Sequence, residues 1–142
     1  MTLDASYAGD VSPRDAWAAL ELDAHAVLID VRTKAEWSYV GTPDLAVLDR
    51  PVIKIEWQSW PDGRANPSFV AEVAQAGIKP EQKVLLLCRS GARSKAAAAA
   101  LTAQGWEHCY NITDGFEGPH DADKHRGHLA GWKHDGLPWT QG

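Results

Sequence analysis

Val84-Leu85-Leu86-Leu87-Cys88-Arg89-Ser90-Gly91-Ala92-Arg93-Ser94 opens as the most apolar run of the chain, passes through a small and basic loop, and leads into five consecutive alanines, Ala96 to Ala100. An unbroken aliphatic run of this length suits a strand buried on both faces of a parallel sheet. Alanine combines the highest helix propensity with a small side chain, so Ser94 to Gln104 is predicted as a helix lying close against that sheet and stopped by Gly105. The unit is strand, tight loop, helix, and Cys88 ends the strand.

The flanking sequence repeats the alternation. Ala26-Val27-Leu28-Ile29-Asp30-Val31 is a second apolar run closed by charge, and Val52-Ile53-Lys54-Ile55-Glu56-Trp57 alternates apolar and polar as a strand does. Gly41, Pro43 and Pro51 break the chain between them. Pro67 to Gln75 is predicted as a helix with Phe69, Val70, Val73 and Ala74 on one side and Gly77 as its terminator. Ser12-Pro13-Arg14-Asp15 carries the marks of a helix start, with Ala16, Trp17 and Leu20 forming its apolar face. His108 to Ile112 is a short strand closed by Gly115, and residues 115–142 show no periodicity, which predicts a loop-rich tail that wraps the domain.

Such alternation of strands and helices predicts an α/β domain with a mainly parallel central sheet. The 142 residues, 44% of them hydrophobic, provide for one core, so residues 1–142 are read as one domain without repeats or a low-complexity linker.

Charge and cysteine content narrow the function. Fourteen Lys and Arg against nineteen Asp and Glu leave a net charge of −5, which offers no general attraction to nucleic acid or to an anionic membrane. Any anion must be held locally. The first ten residues have neither a basic nor an apolar stretch, and no apolar run approaches about 18 residues, so a soluble cytoplasmic protein is expected. Two cysteines, Cys88 and Cys109, make a poor disulfide framework and are read as free thiols.

Ligands of open parallel sheets gather outside the carboxyl ends of the strands, where Cys88 sits. Gly91 permits an unusual backbone angle, and successive loop amides together with the first amides of the helix can turn inward on one sulfur atom. Arg89, Arg93 and Lys95 add positive charge. A thiolate or persulfide is the species such a nest stabilises.

At this point the residues resemble a known family. Cys88-Arg89-Ser90-Gly91-Ala92-Arg93-Ser94 is similar to the active loop of the rhodanese-like proteins, and Ile29-Asp30-Val31-Arg32 with Glu36-Trp37 matches upstream. Gly131-Trp132 and Gly136-Leu137-Pro138 resemble the closing segment, so the likeness runs from about Val11 to Pro138. It implies a sheet flanked by helices on both faces and a sulfurtransferase of the thiosulfate type, in which Cys88 accepts sulfane sulfur from an anionic donor and passes it from a persulfide to cyanide or a thiol. A protein sulfur acceptor is a further partner it admits. Arg89, Ser90, Gly91, Ala92, Arg93 and Ser94 correspond to the substrate-binding loop, its amides ringing the sulfur and its arginines steering the donor. No cofactor is implied.

Two rival readings follow from the same residues. Related phosphatases and arsenate reductases use one more loop residue than the six from Cys88 to Arg93, and a non-catalytic interaction or sulfur-carrier module would not need Cys88 and both arginines. One departure from the family is the insertion Glu117 to Ala130, expected to shape access or a partner surface.

Other candidates receive plainer readings. His120, His125, His128 and His134 with Asp121 and Asp123 match no compact ligand spacing, so no metal is expected. Cys109 is read as a core residue, Asp30 and Arg32 as structural support, and Trp57 and Trp60 as packing in preference to pocket walls.

Overall fold

The computed structural model describes residues 7–59 and 63–141. Five strands form one parallel sheet: β1 (Gly9–Val11), β2 (Val27–Asp30), β4 (Ile53–Lys54), β5 (Val84–Leu87) and β6 (Cys109–Ile112), in the order β1-β6-β5-β2-β4. A two-stranded antiparallel sheet joins β3 (Thr42–Pro43) to β7 (Trp139–Thr140). The helices are α1 (Pro13–Leu22), α2 (Lys34–Tyr39), α3 (Phe69–Gln75) and α4 (Ala92–Ala103). The α/β architecture with a mainly parallel sheet is as expected.

The central strand explains the two-sided burial. All four residues of β5 are buried; Val84 and Leu86 pack with Phe69 and Val73 of α3 and Ala97, Ala98 and Leu101 of α4. Leu85 and Leu87, pointing the other way, pack with Ala16 and Leu20 of α1 and with Phe116 and Trp132 of the tail. Alternate residues of one strand thus serve two cores, which is why the run reads as continuously apolar. Ala97 and Ala98 are fully buried, so small side chains do let α4 lie against the sheet.

Local chemistry sets the element ends. Ser12 Oγ accepts the Asp15 amide at 3.1 Å and Pro13 fills the first turn of α1. The helix predicted from Ser94 begins instead at Ala92, because Gly91, with φ 116°, turns the chain sharply enough for Ala92 and Arg93 to be helical already. The helix predicted from Pro67 begins at Phe69; Asn66 Oδ1 accepts the Ser68 amide at 3.0 Å and holds the intervening residues in a turn. Of Val52 to Trp57 only Ile53–Lys54 forms a ladder, at the sheet's edge. Four of these elements were not anticipated: β1, the antiparallel pair β3 and β7, and α2, whose capping box joins Thr33 and Glu36.

The tail does wrap the domain. Trp132, fully buried, meets Trp17 edge-on at 5.9 Å and donates its indole N–H to Pro138 O at 2.7 Å. Asp30 and Arg32 are also fully buried: Arg32 Nε and Nη2 donate to Asp30 Oδ1 and Oδ2 at 2.9 and 2.7 Å, and Nη2 also reaches Gly41 O at 2.7 Å. Structural support is their role.

Candidate active site

Parallel pairing aligns the carboxyl ends of β2, β5 and β6 along one edge. Cys88 follows directly on β5, the middle strand of the sheet, and its neighbours β2 and β6 lie to either side. Open parallel sheets bind ligands at such an edge.

The Cys88 sulfur lies inside the turn between β5 and α4. Gly91 N–H donates to Sγ at 3.1 Å, and Ser94 Oγ stands 3.2 Å from it. Among the described residues the hydrogen bonds to Sγ come from these two groups, so one loop amide closes on the sulfur itself. The first amides of α4 have no intrahelical carbonyl to bond and are available to an atom beyond Sγ. Cys88 is 1% exposed, and the residues after it open outward: Arg89, Ser90 and Ala92 are exposed.

Ser94 supports the sulfur from within. It is fully buried, its hydroxyl donating to Asn111 Oδ1 at 2.5 Å, while Asn111 Nδ2 donates to Asp10 Oδ1 at 3.1 Å. Tyr7 OH donates to the same Asp10 oxygen at 2.7 Å, and burial, with Asp10 beside it, pushes the Tyr7 phenol up to about 12. A row of hydrogen bonds therefore runs from the sulfur across β6 to β1. Asn111 was not singled out in the sequence, although a polar residue inside a short apolar strand marks a buried group that needs partners.

The two loop arginines differ. Arg93 Nη1 and Nη2 donate to Glu36 Oε1 and Oε2 at 2.7 and 2.9 Å, a forked pair that fixes α2 against the start of α4. Burial pushes the Glu36 carboxyl up, but Arg93's hydrogen bonds and charge outweigh it and hold the group at about 2; the same pairing outweighs burial at Arg93 and raises it. Arg89 shows no side-chain hydrogen bond or ion pair among the described residues. Its guanidinium is the loop cation left unneutralised.

A cavity of about 570 Å³ opens beside this loop, lined among others by Arg89, Arg93, Glu36, Tyr39, Gln58 and Arg126. Arg126 belongs to the insertion Glu117 to Ala130, which therefore supplies part of the cavity's wall. Arg126 itself was not singled out in the sequence, because nothing in the spacing from Cys88 to Arg126 announces proximity. Trp57 is not in that wall; it meets Phe69 edge-on at 5.2 Å and packs on the core. Trp60 lies outside the described residues.

Cys109 sits in the core, fully buried, and burial pushes its thiol up to about 11. It pairs across the ladder with Val84, so Cys88 lies four residues further along the neighbouring strand. At about 3.3 Å per residue that is roughly 13 Å along the strands, beyond the reach of a disulfide. Of the histidines and aspartates considered as ligands, Asp121, His125 and His128 come together, their candidate atoms within 4.8 Å of one another, while His120, His134 and Asp123 stay apart. Asp121 Oδ1 accepts the amides of Asp123 and His125, both at 2.9 Å, and Oδ2 faces His128 Nδ1 at 2.8 Å. The group is a turn organised by one carboxylate.

The chain is similar to known proteins over most of its length. A family model described as STR4 middle domain matches residues 8–142, and the chain belongs to this rhodanese-like family. The crystal structure of Rv0390 from M. tuberculosis is 49% identical and superposes with a TM-score of 0.89 over 96% of this chain and 100% of that one. An uncharacterized protein of Rickettsia conorii is 43% identical over 115 residues, 81% of this chain and 83% of its own length. Rhodanese-like domain-containing protein 4 of Arabidopsis thaliana, a chloroplastic protein, is 27% identical over 94% of this chain but only 26% of its own length. A protein of Allochromatium vinosum named sulfurtransferase is 30% identical over 79% of this chain and 76% of its own. Among the described residues no helix is long and apolar enough to cross a membrane.

Proposed function

We propose that this protein is a sulfurtransferase that carries sulfane sulfur on Cys88. The observation that supports it most directly is the Cys88 sulfur held at the carboxyl end of the central strand, with the Gly91 amide 3.1 Å away and the free amides at the start of α4 beyond. Family membership, and the sulfurtransferase name of one relative, point the same way.

The chemistry is a two-step exchange. The Cys88 thiolate attacks the outer sulfur of an anionic donor such as thiosulfate; an S–S bond forms to Sγ, the donor's S–S bond breaks, and sulfite leaves with the electron pair. The persulfide's outer sulfur is then in reach of the loop and helix amides, which stabilise its negative charge. Cyanide or a thiol attacks that sulfur, the new S–S bond breaks, and the Cys88 thiolate returns. Neither step needs a metal or an organic cofactor. Sulfur, not an oxyanion as large as phosphate, is the cargo that the six-residue loop favours.

The test is intact-protein mass spectrometry after incubation with thiosulfate, for the wild type and Cys88→Ala. One added sulfur on the wild type alone, removed by cyanide with release of thiocyanate, supports the proposal. No modification of either protein overturns it and brings forward a binding module or phosphatase chemistry.

A further inference from the structure

The insertion Glu117 to Ala130 is tied to the active loop at its base. The amides of Glu117 and Gly118 both donate to Arg89 O, at 3.0 and 3.2 Å, and the Gly127 amide returns to Glu117 O at 2.6 Å. The segment is thus closed at its neck, in the manner of a compact Ω-loop, on the residue that follows Cys88. From its far side Arg126 reaches back: Nη1 donates to Gly118 O at 2.7 Å, and the side chain lines the cavity with Arg89.

The charge balance of that cavity favours an anion. Arg93 is paired with Glu36, whereas among the described residues Arg126 is bonded to a neutral carbonyl and no carboxylate pairs with Arg126 or Arg89. Glu117, which also lines the cavity, interacts with Lys133. Among the described residues, two guanidiniums, one from the active loop and one from the insertion, are thus available to a ligand. The volume of about 570 Å³ falls in the range of roughly 300–1,000 Å³ that small organic ligands occupy, far more than a thiosulfate ion fills. Tyr39, 80% exposed at the rim, adds a surface on which a hydrocarbon segment can lie.

We infer that this mouth recognises a low-molecular-weight thiol or persulfide bearing carboxylates away from its sulfur, with Arg126 and Arg89 binding the carboxylates. The inference rests on the sulfur-transfer reading for its biological sense, and the binding site itself can be tested without turnover. Guanidinium pairs with carboxylate through two parallel N–H···O bonds, so the recognition is directional as well as electrostatic.

The probe is reduced glutathione, compared with its diethyl ester, in calorimetric titrations of the full chain kept reduced. The wild type is expected to bind glutathione at least tenfold more tightly than the ester. Arg126→Met should bring that preference below threefold, and Arg126→Lys should retain part of it. Because Arg126 also holds the loop neck, Arg89→Met, which removes no intramolecular side-chain bond, provides a second variant with the same expected loss. Equal affinity for acid and ester in the wild type, absence of binding, or an undiminished preference in both methionine variants overturns the inference. Glutathione bound with the expected preference by a protein that thiosulfate does not persulfidate leaves this site standing and counts against sulfur transfer alone.

Discussion

Ser94 Oγ lies 2.5 Å from Asn111 Oδ1 and 3.2 Å from Cys88 Sγ, so a single buried hydroxyl joins the reactive sulfur to the neighbouring strand. When Cys88 ionises, the same hydroxyl can turn its proton from Asn111 Oδ1 to Sγ and stabilise the thiolate. Ser94→Ala removes both contacts and strands a buried amide oxygen. We predict a loss of about 1–2 kcal/mol in stability by denaturant titration. The rate of Cys88 persulfidation should fall roughly tenfold, equivalent to about 1.4 kcal/mol at the transition state. An unchanged rate would make Ser94 purely structural.

The Arg93–Glu36 pair has a pH signature. Glu36 is lowered from 4.5 to about 2 in the folded protein, so its contribution to stability is fully present above about 4.5 and is lost as pH falls through about 2. Glu36→Gln should destabilise the protein by about 1–3 kcal/mol at neutral pH, since it leaves Arg93 partly buried without its counter-ion. The gap between variant and wild type should narrow between pH 4.5 and 2 in thermal melts. A gap that stays constant across that window would assign the loss to packing.

Cys109 should be dispensable for chemistry. Cys109→Ser is expected to leave persulfidation of Cys88 within tenfold of the wild type while lowering stability by about 1–2 kcal/mol, a hydroxyl being costlier to bury than a thiol. Peptide mapping after iodoacetamide treatment at pH 8 should find Cys109 unmodified in the folded protein, its thiol being buried and raised to about 11. Alkylation there at the rate of an unfolded control would contradict its core placement.

Gly115 lies directly against the backbone of the active loop. A Cβ at this position would collide with Cys88 O and come within 2.6 Å of Arg89 C, and the backbone holds φ 57°. Neither obstacle is the movable end of a side chain. Gly115→Ala should cost at least about 2 kcal/mol and sharply reduce persulfidation, because the backbone of the loop itself must shift. Wild-type melting and transfer would show the loop to be more yielding than its contacts imply.

Much of this protein follows from local rules. Val84 to Leu87 and Val27 to Asp30 read as buried parallel strands because both of their faces are covered, and the strength of that signal comes from the two cores they serve. Ser12 and Pro13 announced α1 through capping chemistry that depends on adjacent residues alone. The α2 helix was legible too, in Thr33 and Glu36, but its short length leaves no hydrophobic period to draw attention to it. The edge strand β1 was not, since three residues acquire strand character only by pairing with β6.

The sequence by itself determined the α/β class, the family resemblance, and Cys88 as the candidate centre, because strand–loop–helix patterning, glycine placement and loop length are written in consecutive residues. Only the tertiary structure decided that Arg93 is neutralised by Glu36, that Asn111 stands behind Ser94, and that Arg126 returns to the cavity beside Arg89. Those partners lie 57, 17 and 37 residues apart. Whether such charges cancel or remain free for a ligand depends on distances in space, and no local pattern encodes them.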